Sequence, residues 1–384
     1  MQEDIRELVK AIHNSPTLAV LVTAGAGTQA LADLLGVAGA TRTLLEALVP
    51  YSTASFDDFL GQHPPQYVAA ETARLLAGRS YTRARWLHTW DESLVGIACS
   101  ATIVTDRPKR GQHRAYISTW QPRHLICNRL YLAKGERDRQ GEEDMVSRVL
   151  LNTLAQACEI PDRVDVPYLP GDDFTSHVTD FQELVLQLLH NELTHFGIEA
   201  DGDILGTDAR PPAILSGSFN PLHDGHLDLA RTAGEILGKE VSFELSVHNA
   251  DKPSLIPQVA LRRIAQFAGR YTIFASTAPT FVEKAPLFPG TTFVVGYDTA
   301  ARILHPRYYG NSHEALREAL QEIANQGCKF LVAGRMDENG RFAQVGDLPI
   351  PQRFQHLFDG IPDSIFRRDI SSTELRQAGQ RGSR

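Results

Sequence analysis

Short apolar runs alternate with amphipathic segments along most of the chain of 384 residues. Continuous apolar runs are typical of buried strands, and apolar positions three or four residues apart indicate helices. In the first half this pattern predicts a polar opening helix. It then predicts strands at 17–22, 94–104, 113–119 and 125–132, and helices at 29–35, 66–87 and 142–157.

The second half shows a more regular alternation. It predicts strands at 213–216, 241–247, 271–275, 292–295 and 330–333, with helices at 226–237, 258–268, 313–325 and from Ser372 onward. Strands separated by helices of about 10–15 residues indicate a parallel sheet with helices on both faces. The predicted fold class is therefore α/β, with a C-terminal, doubly wound, Rossmann-like parallel sheet that follows a first α/β domain. Ligands of such sheets bind at the carboxyl ends of the strands.

A change of composition separates the two halves. Residues 161–171 are rich in Pro, Asp and Val, an amphipathic helix is predicted over 180–196, and a Gly/Asp-rich stretch continues to Pro212. We predict a first domain at 1–160, a linker with one amphipathic helix at 161–210, and a second domain at 211–384.

Composition and charge narrow the classes of function. Hydrophobic residues make up 42% and charged residues 22%, as in ordinary globular proteins, and no apolar run approaches the ~18 residues of a membrane span. The net charge is −8, and residues 211–384 carry 19 Lys and Arg against 18 Asp and Glu, so most of the negative charge lies before them. An acidic first half argues against nucleic acid as a partner.

Cysteine usage and the amino terminus indicate the compartment. The four cysteines are far apart and form no CxxC pair, which argues against a disulfide framework or a zinc site. The opening residues lack the pattern of a secretory signal. We therefore expect a cytoplasmic protein with no membrane partner.

The most informative stretch is ILSGSFNPLHDGHLDLA, residues 214–230. A short strand is followed by a turn, and His223 and His226 lie at the start of the next helix. Gly217 and Gly225 allow a ligand to approach the backbone closely. A helix N-terminus offers free N–H groups and partial positive charge, which suits a phosphate. The alternative is a plain strand–turn–helix connection with two surface histidines; a metal pair is disfavoured because no carboxylate partner is evident.

A second element is ISSTELR, residues 370–376. Ser371 and Glu374 have the spacing of a capping box that starts the last helix. The same helix start could bind phosphate through Ser371 and Ser372, with Arg376 supplying positive charge. The two interpretations are compatible, because a capped helix N-terminus also attracts anions.

Together, GSFNPLHDGH and ISSTELR make residues 213–376 resemble the HxGH-motif nucleotidyltransferase superfamily. His223 and the SFNP turn are most similar to the nicotinamide/nicotinate mononucleotide adenylyltransferases. The resemblance implies transfer of a nucleoside monophosphate from a nucleoside triphosphate, ATP first, to a phosphate-bearing acceptor, with Mg²⁺ entering as the triphosphate complex. It also implies that Lys252, in HNADKP, binds a phosphate, although a solvated loop lysine is the alternative.

The resemblance assigns roles residue by residue. The implied catalytic residues are His223, His226, Lys252 and Arg376. The implied nucleotide-binding residues are Gly217, Ser218, Phe219, Gly225, Gly296, Asp298, Thr299, Ser371, Ser372 and Thr373. For the segment 296–299, a turn with a capping aspartate is the alternative.

One departure leaves the acceptor open. The pyridine-nucleotide enzymes of this superfamily often stack the pyridine ring on a tryptophan, but Trp86, Trp90 and Trp120 all lie in the first half. Tyr308, Tyr309 or Phe281 could replace it, since any aromatic face can stack. Two other functions therefore stay open: a cytidylyltransferase acting on a phosphorylated alcohol, and a nucleotide-binding regulator without turnover.

Residues 1–160 resemble the CinA C-terminal domain family, which includes nicotinamide-mononucleotide amidohydrolases. The resemblance rests on the order of elements around the turn TAGAGT (23–28) and the Tyr51-Ser52 turn. The family's nucleophilic serine is replaced by Thr23, and the lysine expected shortly after Tyr51 is absent. A nucleophile needs an activating base, and Thr23 has no evident one. We expect a catalytically silent domain, with an active amidohydrolase as the alternative, and the resemblance implies a homo-oligomer.

Overall fold

Two large β-sheets organise the part of the chain that the computed structural model describes, which is residues 1–88, 93–107, 110–248, 253–336 and 341–366. The first sheet has the strand order β2-β1-β3-β4-β5-β6. Its strands are β1 (Thr17–Ala24), β2 (Leu44–Leu48), β3 (Ser93–Thr102), β4 (His113–Trp120), β5 (His124–Leu132) and β6 (Asp173–Asp180). β1 runs parallel to β2 and β3, whereas β3 to β6 pair antiparallel.

Helices cover both faces of the first sheet because its central strands are apolar on both sides. Val20 of β1 packs in one core with Leu76, and Leu21 packs in another with Leu150. The helices of this region are α1 (Glu3–Asn14), α2 (Thr28–Gly36), α3 (Thr53–Leu60), α4 (Ala70–Leu87) and α5 (Arg139–Ala157).

The second sheet has the order β16-β13-β12-β9-β10-β11-β7-β8. Its strands are β7 (His195–Ile198), β8 (Ile204–Leu205), β9 (Ala213–Ser216), β10 (Ser242–Ser246), β11 (Ile273–Ser276), β12 (Thr292–Gly296), β13 (Lys329–Ala333) and β16 (Phe358–Ile361). The strands from β16 to β11 are parallel, and β7 and β8 add an antiparallel edge.

Strand order reverses at β9, because the chain continues to β10 and β11 on one side and returns to β12 and β13 on the other. In an open α/β sheet, such a switch point opens a crevice at the carboxyl ends of the strands.

The helices of this region are α6 (Phe181–Leu189), α7 (Asp224–Leu237), α8 (Pro257–Ile264), α9 (Phe281–Leu287), α10 (Tyr297–Ile303) and α11 (His313–Asn325). A small hairpin pairs β14 (Arg335–Met336) with β15 (Phe342–Ala343). The structure has the predicted α/β fold class.

The segment 161–210 contains more than the helix predicted there. It supplies β6 to the first sheet and β7 and β8 to the second. The amphipathic helix is α6, which ends before the predicted position 196 because His195 and Phe196 are strand residues paired with β11. This segment therefore contributes one strand to the first sheet and two strands to the second as the chain passes between them.

The two sheet units share a hydrophobic core and touch through backbone. Leu76 and Phe267 belong to the same core cluster. A Cβ atom added at Gly78 of α4 would lie 2.4 Å from the backbone nitrogen of Gly269, so these positions need glycine for close approach. Arg74 of α4 also forms ion pairs with Asp201 and Asp203. None of the described helices combines the length and apolar character needed to cross a bilayer.

Candidate functional site

The loop between β9 and α7 lies at the switch point of the second sheet. Phe219 adopts a left-handed conformation (φ +42°) and buries its ring completely. That ring makes edge contacts with Phe243, Phe267 and the imidazole of His226, at centroid distances of 5.6, 5.1 and 5.2 Å. A Cβ at Gly217 would lie 2.7 Å from the Phe219 ring. The side chain of Phe219 thus anchors the loop, and a nucleotide contact at this position would come from its backbone.

His223 and His226 lie together where α7 begins. Their rings stack at a centroid distance of 3.7 Å, with 28° between the ring planes. His226 Nδ1 accepts a hydrogen bond from the backbone N–H of His223 at 3.3 Å. Because Nδ1 accepts, the neutral His226 ring carries its proton on Nε2, where it can be donated.

Burial keeps both imidazoles neutral near pH 7. It lowers the pKa of His223, which the nearby Asp224 carboxylate partly opposes. It lowers the pKa of His226 to about 3, and the neighbouring His223 contributes in the same direction. Each neutral imidazole still has one N–H group, which can be donated to an anion at this helix N-terminus.

Two residues from the neighbouring helical region brace the loop. Gln266 is buried; its Oε1 accepts a hydrogen bond from the Leu222 N–H, and its Nε2 donates one to the Phe219 carbonyl, both at 2.8 Å. Arg263 donates a hydrogen bond to the Ser218 carbonyl at 3.1 Å. Gln266 was not among the predicted site residues; the available signal was a polar amide among the apolar positions of the predicted helix 258–268.

A buried ion pair lies beside the same loop. Glu244 of β10 is fully buried, and both of its carboxylate oxygens lie 2.6 Å from Lys284 Nζ. Ser276 donates a hydrogen bond to the same carboxylate at 2.6 Å. The backbone carbonyl of Glu244 accepts from the Gly217 N–H at 3.0 Å, so the ion pair helps to fix the strand end next to the loop. This pair was also not predicted.

The segment 296–299 follows β12, which pairs directly with β9. Gly296 caps α10, and Asp298 is an exposed residue that forms an ion pair with Arg335. Thr299 is half-buried in the first turn of α10. The structure therefore places the predicted residues Gly217, Ser218 and Asp298 just after the carboxyl ends of two adjacent parallel strands, and Gly225 in the first turn of α7.

Other predicted residues lie outside the described ranges. These are Lys252, Ser371, Ser372, Thr373 and Arg376, together with the final helix predicted from Ser372. Among the aromatic candidates for stacking, Phe281 packs against Phe293 and Phe330 in the core. Tyr309 donates a hydrogen bond to the Ile303 carbonyl, the Arg307 guanidinium lies over the Tyr308 ring, and both tyrosines are partly buried.

Acidic side chains that could share a cation lie elsewhere in the described part of the chain. Glu199, Asp201 and Asp203 form the one such group of three, around the turn between β7 and β8. Arg74 already forms ion pairs with two of these carboxylates. The His223–His226 region contains no comparable acidic group among the described residues.

In the first unit, the turn after β1 is occupied by a carboxylate of the protein itself. Glu143 Oε1 accepts hydrogen bonds from the backbone N–H groups of Gly27 and Gln29 at 2.9 and 3.0 Å, and from the Thr28 hydroxyl at 3.1 Å. The buried Thr23 hydroxyl donates to the Ala26 carbonyl. The Thr23 hydroxyl and the donors of this turn therefore have hydrogen-bond partners within the protein.

Comparisons with known proteins complete the description. No family model matches the chain, and a search of the curated proteins found no match. Among solved structures, the chain is similar to the competence/damage inducible protein CihA from Agrobacterium tumefaciens (17% identity, TM-score 0.32) over 41% of this chain and 92% of that one. It is also similar to a CinA-superfamily protein from Escherichia coli, with 16% identity and a TM-score of 0.32 over 41% of this chain and 92% of that one. A CinA-superfamily protein from Enterobacter cloacae is similar with 18% identity and a TM-score of 0.31, over 40% of this chain and 90% of that one.

Proposed function

We propose that this protein is a nucleotidyltransferase. It transfers a nucleoside monophosphate from a nucleoside triphosphate, ATP first, to a phosphate-bearing acceptor, nicotinamide or nicotinate mononucleotide, and releases pyrophosphate. The observation that carries this proposal is the pair of neutral, stacked imidazoles of His223 and His226 at the N-terminus of α7, next to the switch point of a parallel sheet.

The reaction is an in-line displacement at the α-phosphorus. An oxygen of the acceptor phosphate forms the new P–O bond, and the bond to the α–β bridging oxygen breaks, so that pyrophosphate leaves with that electron pair. The imidazole N–H groups and the first backbone N–H groups of α7 stabilise negative charge on the α-phosphate oxygens. Positioning and electrostatic stabilisation suffice for such a step, and no covalent enzyme intermediate is required.

The remaining contacts of the proposal come from the sequence motifs. Lys252 binds the acceptor phosphate, and Ser371, Ser372, Thr373 and Arg376 hold the β- and γ-phosphates. The triphosphate would bring Mg²⁺ as its complex, and the ion would neutralise part of the phosphate charge, with phosphate oxygens and water as its ligands. Asp298 and Thr299 contact the nucleotide, and for Asp298 this requires release or sharing of its ion pair with Arg335.

We further propose that the first unit performs no amide hydrolysis. Two observations support this proposal. The Thr23 hydroxyl donates a hydrogen bond to the Ala26 carbonyl, and the Glu143 carboxylate accepts hydrogen bonds from the backbone N–H groups of Gly27 and Gln29. An ammonia-release assay with nicotinamide mononucleotide tests it. We expect no release above the buffer control, and steady turnover that disappears in Thr23→Val would overturn it.

The deciding experiment measures pyrophosphate release with Mg²⁺. ATP and CTP are each combined with nicotinamide mononucleotide, nicotinate mononucleotide, glycerol 3-phosphate and phosphopantetheine. Turnover with ATP and a pyridine mononucleotide is the expected result. Turnover only with CTP and glycerol 3-phosphate would favour the cytidylyltransferase, which the absence of tryptophan after residue 120 keeps open. ATP binding without turnover across the panel would favour a regulator.

A further inference from the structure

A cavity of about 230 Å³ lies at the edge of the first sheet, where the C-terminal half of α5 and the loop before β6 meet β5 and β6. All of its lining residues fall within the continuously described range 110–248. Asn128 of β5 and Ser176 of β6 lie side by side in it, because they are direct partners in the β5–β6 register. The volume is below the about 300–1,000 Å³ of sites for drug-sized ligands, so the cavity suits a single small ring system.

Asn128 brings a hydrogen-bond acceptor without a partner to this cavity. The Thr153 hydroxyl donates to the Val149 carbonyl at 2.7 Å, and its oxygen accepts a hydrogen bond from Asn128 Nδ2, also at 2.7 Å. This contact fixes the orientation of the amide. Asn128 Oδ1 has no hydrogen-bond partner among the described residues, although the side chain is buried. Buried polar atoms are almost always hydrogen-bonded, so this acceptor favours a ligand that supplies a donor.

Two aromatic side chains line the same cavity. Tyr168 of the loop and Phe174 of β6 contact each other, with ring centroids 5.9 Å apart. The two residues are 46% and 40% exposed, so a large part of their ring surface is open to solvent. Exposed aromatic faces can stack on a planar ring, which would cover this surface.

Charge contributes little to the lining. Arg163 is the one charged residue among the lining residues, and its Nη1 donates hydrogen bonds to the carbonyls of Ile160 and Asp162 in its own loop. The other lining side chains are amides, hydroxyls, valines and the two aromatic rings. Phosphate sites in proteins use charged groups or several backbone N–H groups. This lining therefore favours an uncharged ligand.

We propose that this cavity binds an uncharged, planar heteroaromatic molecule of the nucleobase type, whose edge presents an N–H donor beside an acceptor. The donor pairs with Asn128 Oδ1, the neighbouring Ser176 hydroxyl donates to the acceptor, and the ring stacks on Phe174. This site is independent of the proposed nucleotidyl transfer, because all of its lining residues belong to the first unit or to the segment before β7.

The probes are 9-methyladenine and 9-methylpurine, which differ only in the exocyclic amino group. Saturation-transfer NMR with the full-length protein gives the dissociation constant of each probe. We expect 9-methyladenine to bind about tenfold more tightly, because 9-methylpurine has no N–H group to donate to Asn128. Equal affinities of the two probes, or binding of neither, would overturn the proposal.

Variants then assign the affinity to this cavity. Phe174→Ala removes the stacking surface from an exposed position, and we expect it to weaken binding of 9-methyladenine about tenfold. Val178→Ala is the matched control, because Val178 is an exposed apolar residue of the same strand that is not among the lining residues, and it should bind as the wild type does. An unchanged affinity in Phe174→Ala would contradict the proposal.

Asn128→Ala tests the acceptor directly. We expect it to reduce the affinity for 9-methyladenine to that for 9-methylpurine, because the amino group then has no acceptor in the cavity. Circular dichroism checks that the variant is folded, and Phe174→Ala decides the question if it is not. A folded Asn128→Ala that still prefers 9-methyladenine would overturn the role of Oδ1.

Hydrogen exchange distinguishes this site from the histidine site. 9-Methyladenine should slow amide exchange by about twofold or more in peptides from residues 163–176. If the probe slows exchange only in residues 217–230, it binds at the histidine loop and the proposal is wrong. The readout is the place of binding, so the result is the same whether or not the protein transfers nucleotides.

Discussion

Gln266 Oε1 accepts a hydrogen bond from the backbone N–H of Leu222 at 2.8 Å, one residue before the first histidine of the HxGH motif. The Nε2 group of the same amide donates to the Phe219 carbonyl. One buried side chain therefore satisfies two backbone groups of a loop that has no regular secondary structure. These two contacts hold the backbone immediately before His223.

Gln266→Met should destabilise the protein, because it leaves both backbone groups buried without their partner. We expect a loss of about 2–6 kcal/mol in the free energy of unfolding, at about 1–3 kcal/mol for each of the two unsatisfied groups. Urea titration followed by circular dichroism measures it. The control is Gln258→Met at an exposed position of α8, which should change stability by less than about 0.5 kcal/mol. Equal effects of the two substitutions would refute this role.

His226→Ala should slow nucleotidyl transfer by about 10²–10³-fold, since loss of one preorganised donor costs about 2–4 kcal/mol of barrier. Steady-state pyrophosphate release under saturating substrates measures the effect. His190→Ala, at an exposed position after α6, is the matched control and should retain full turnover. If His226→Ala keeps more than half of the wild-type rate, His226 does not stabilise the reacting phosphate.

Stability should fall as the pH falls below about 6.5, partly because of His226. The unfolded chain protonates this imidazole near 6.5, whereas the folded protein resists protonation until about pH 3. Between these values the unfolded state binds more protons, so acid favours unfolding, by about 2 kcal/mol for this group between pH 6.5 and 5.

The measurement compares urea midpoints of the wild type and His226→Gln at pH 7.5 and pH 5. His226→Gln should lose less stability than the wild type over this interval, because His13, His124 and His195, whose pKa values burial also lowers, are the same in both proteins. Parallel losses in the two proteins would argue against the depressed pKa of His226.

Lys284→Met should be strongly destabilising, because it leaves the Glu244 carboxylate buried without its cation. Removal of one partner from a buried ion pair costs about 3–5 kcal/mol. The double variant Glu244→Gln/Lys284→Met should recover part of this loss, and Lys239→Met, at an exposed position, should be close to wild type. Urea titration gives all three values, and a double variant as unstable as Lys284→Met would contradict the ion-pair explanation.

Glu143→Ala should destabilise the turn at residues 25–29 of the first unit. Its carboxylate accepts from two backbone N–H groups and two hydroxyls, and loss of that acceptor should cost about 1–3 kcal/mol. Glu143→Gln keeps an acceptor oxygen and should lose less, while Glu136→Ala at an exposed position is the control. Thermal unfolding measures the difference, and an effect no larger than that of Glu136→Ala would show that the contact adds little.

The sequence predicts the second sheet better than the segment before it. The strand 213–216 and the helix 313–325 have the predicted bounds, because apolar runs and helical spacing mark them clearly. The sequence of β6, DFTSHVTD, contains no apolar run that would predict a strand. This agrees with its position in the structure, where almost all of its residues are exposed. Pairing with β5 forms this strand, and a tertiary contact of that kind is not encoded in a local pattern.

The same distinction between local and long-range contacts applies to the candidate site. The histidine turn could be predicted because its residues lie within a few positions of one another. Glu143 could not be assigned to Gly27, because 116 positions separate them in the chain. Likewise, Glu244 and Lys284 are 40 positions apart, and an acidic residue within an apolar strand does not indicate which cation neutralises it.

The strands supplied by residues 173–205 have a consequence for dividing the gene. A fragment that ends at residue 160 would lack β6, so β5 would become the new edge strand of the first sheet. A fragment that begins at residue 211 would lack β7 and β8 and would expose the edge of β11. An exposed edge strand can pair with the edge of another chain. Either fragment would therefore be prone to aggregate through its new edge strand.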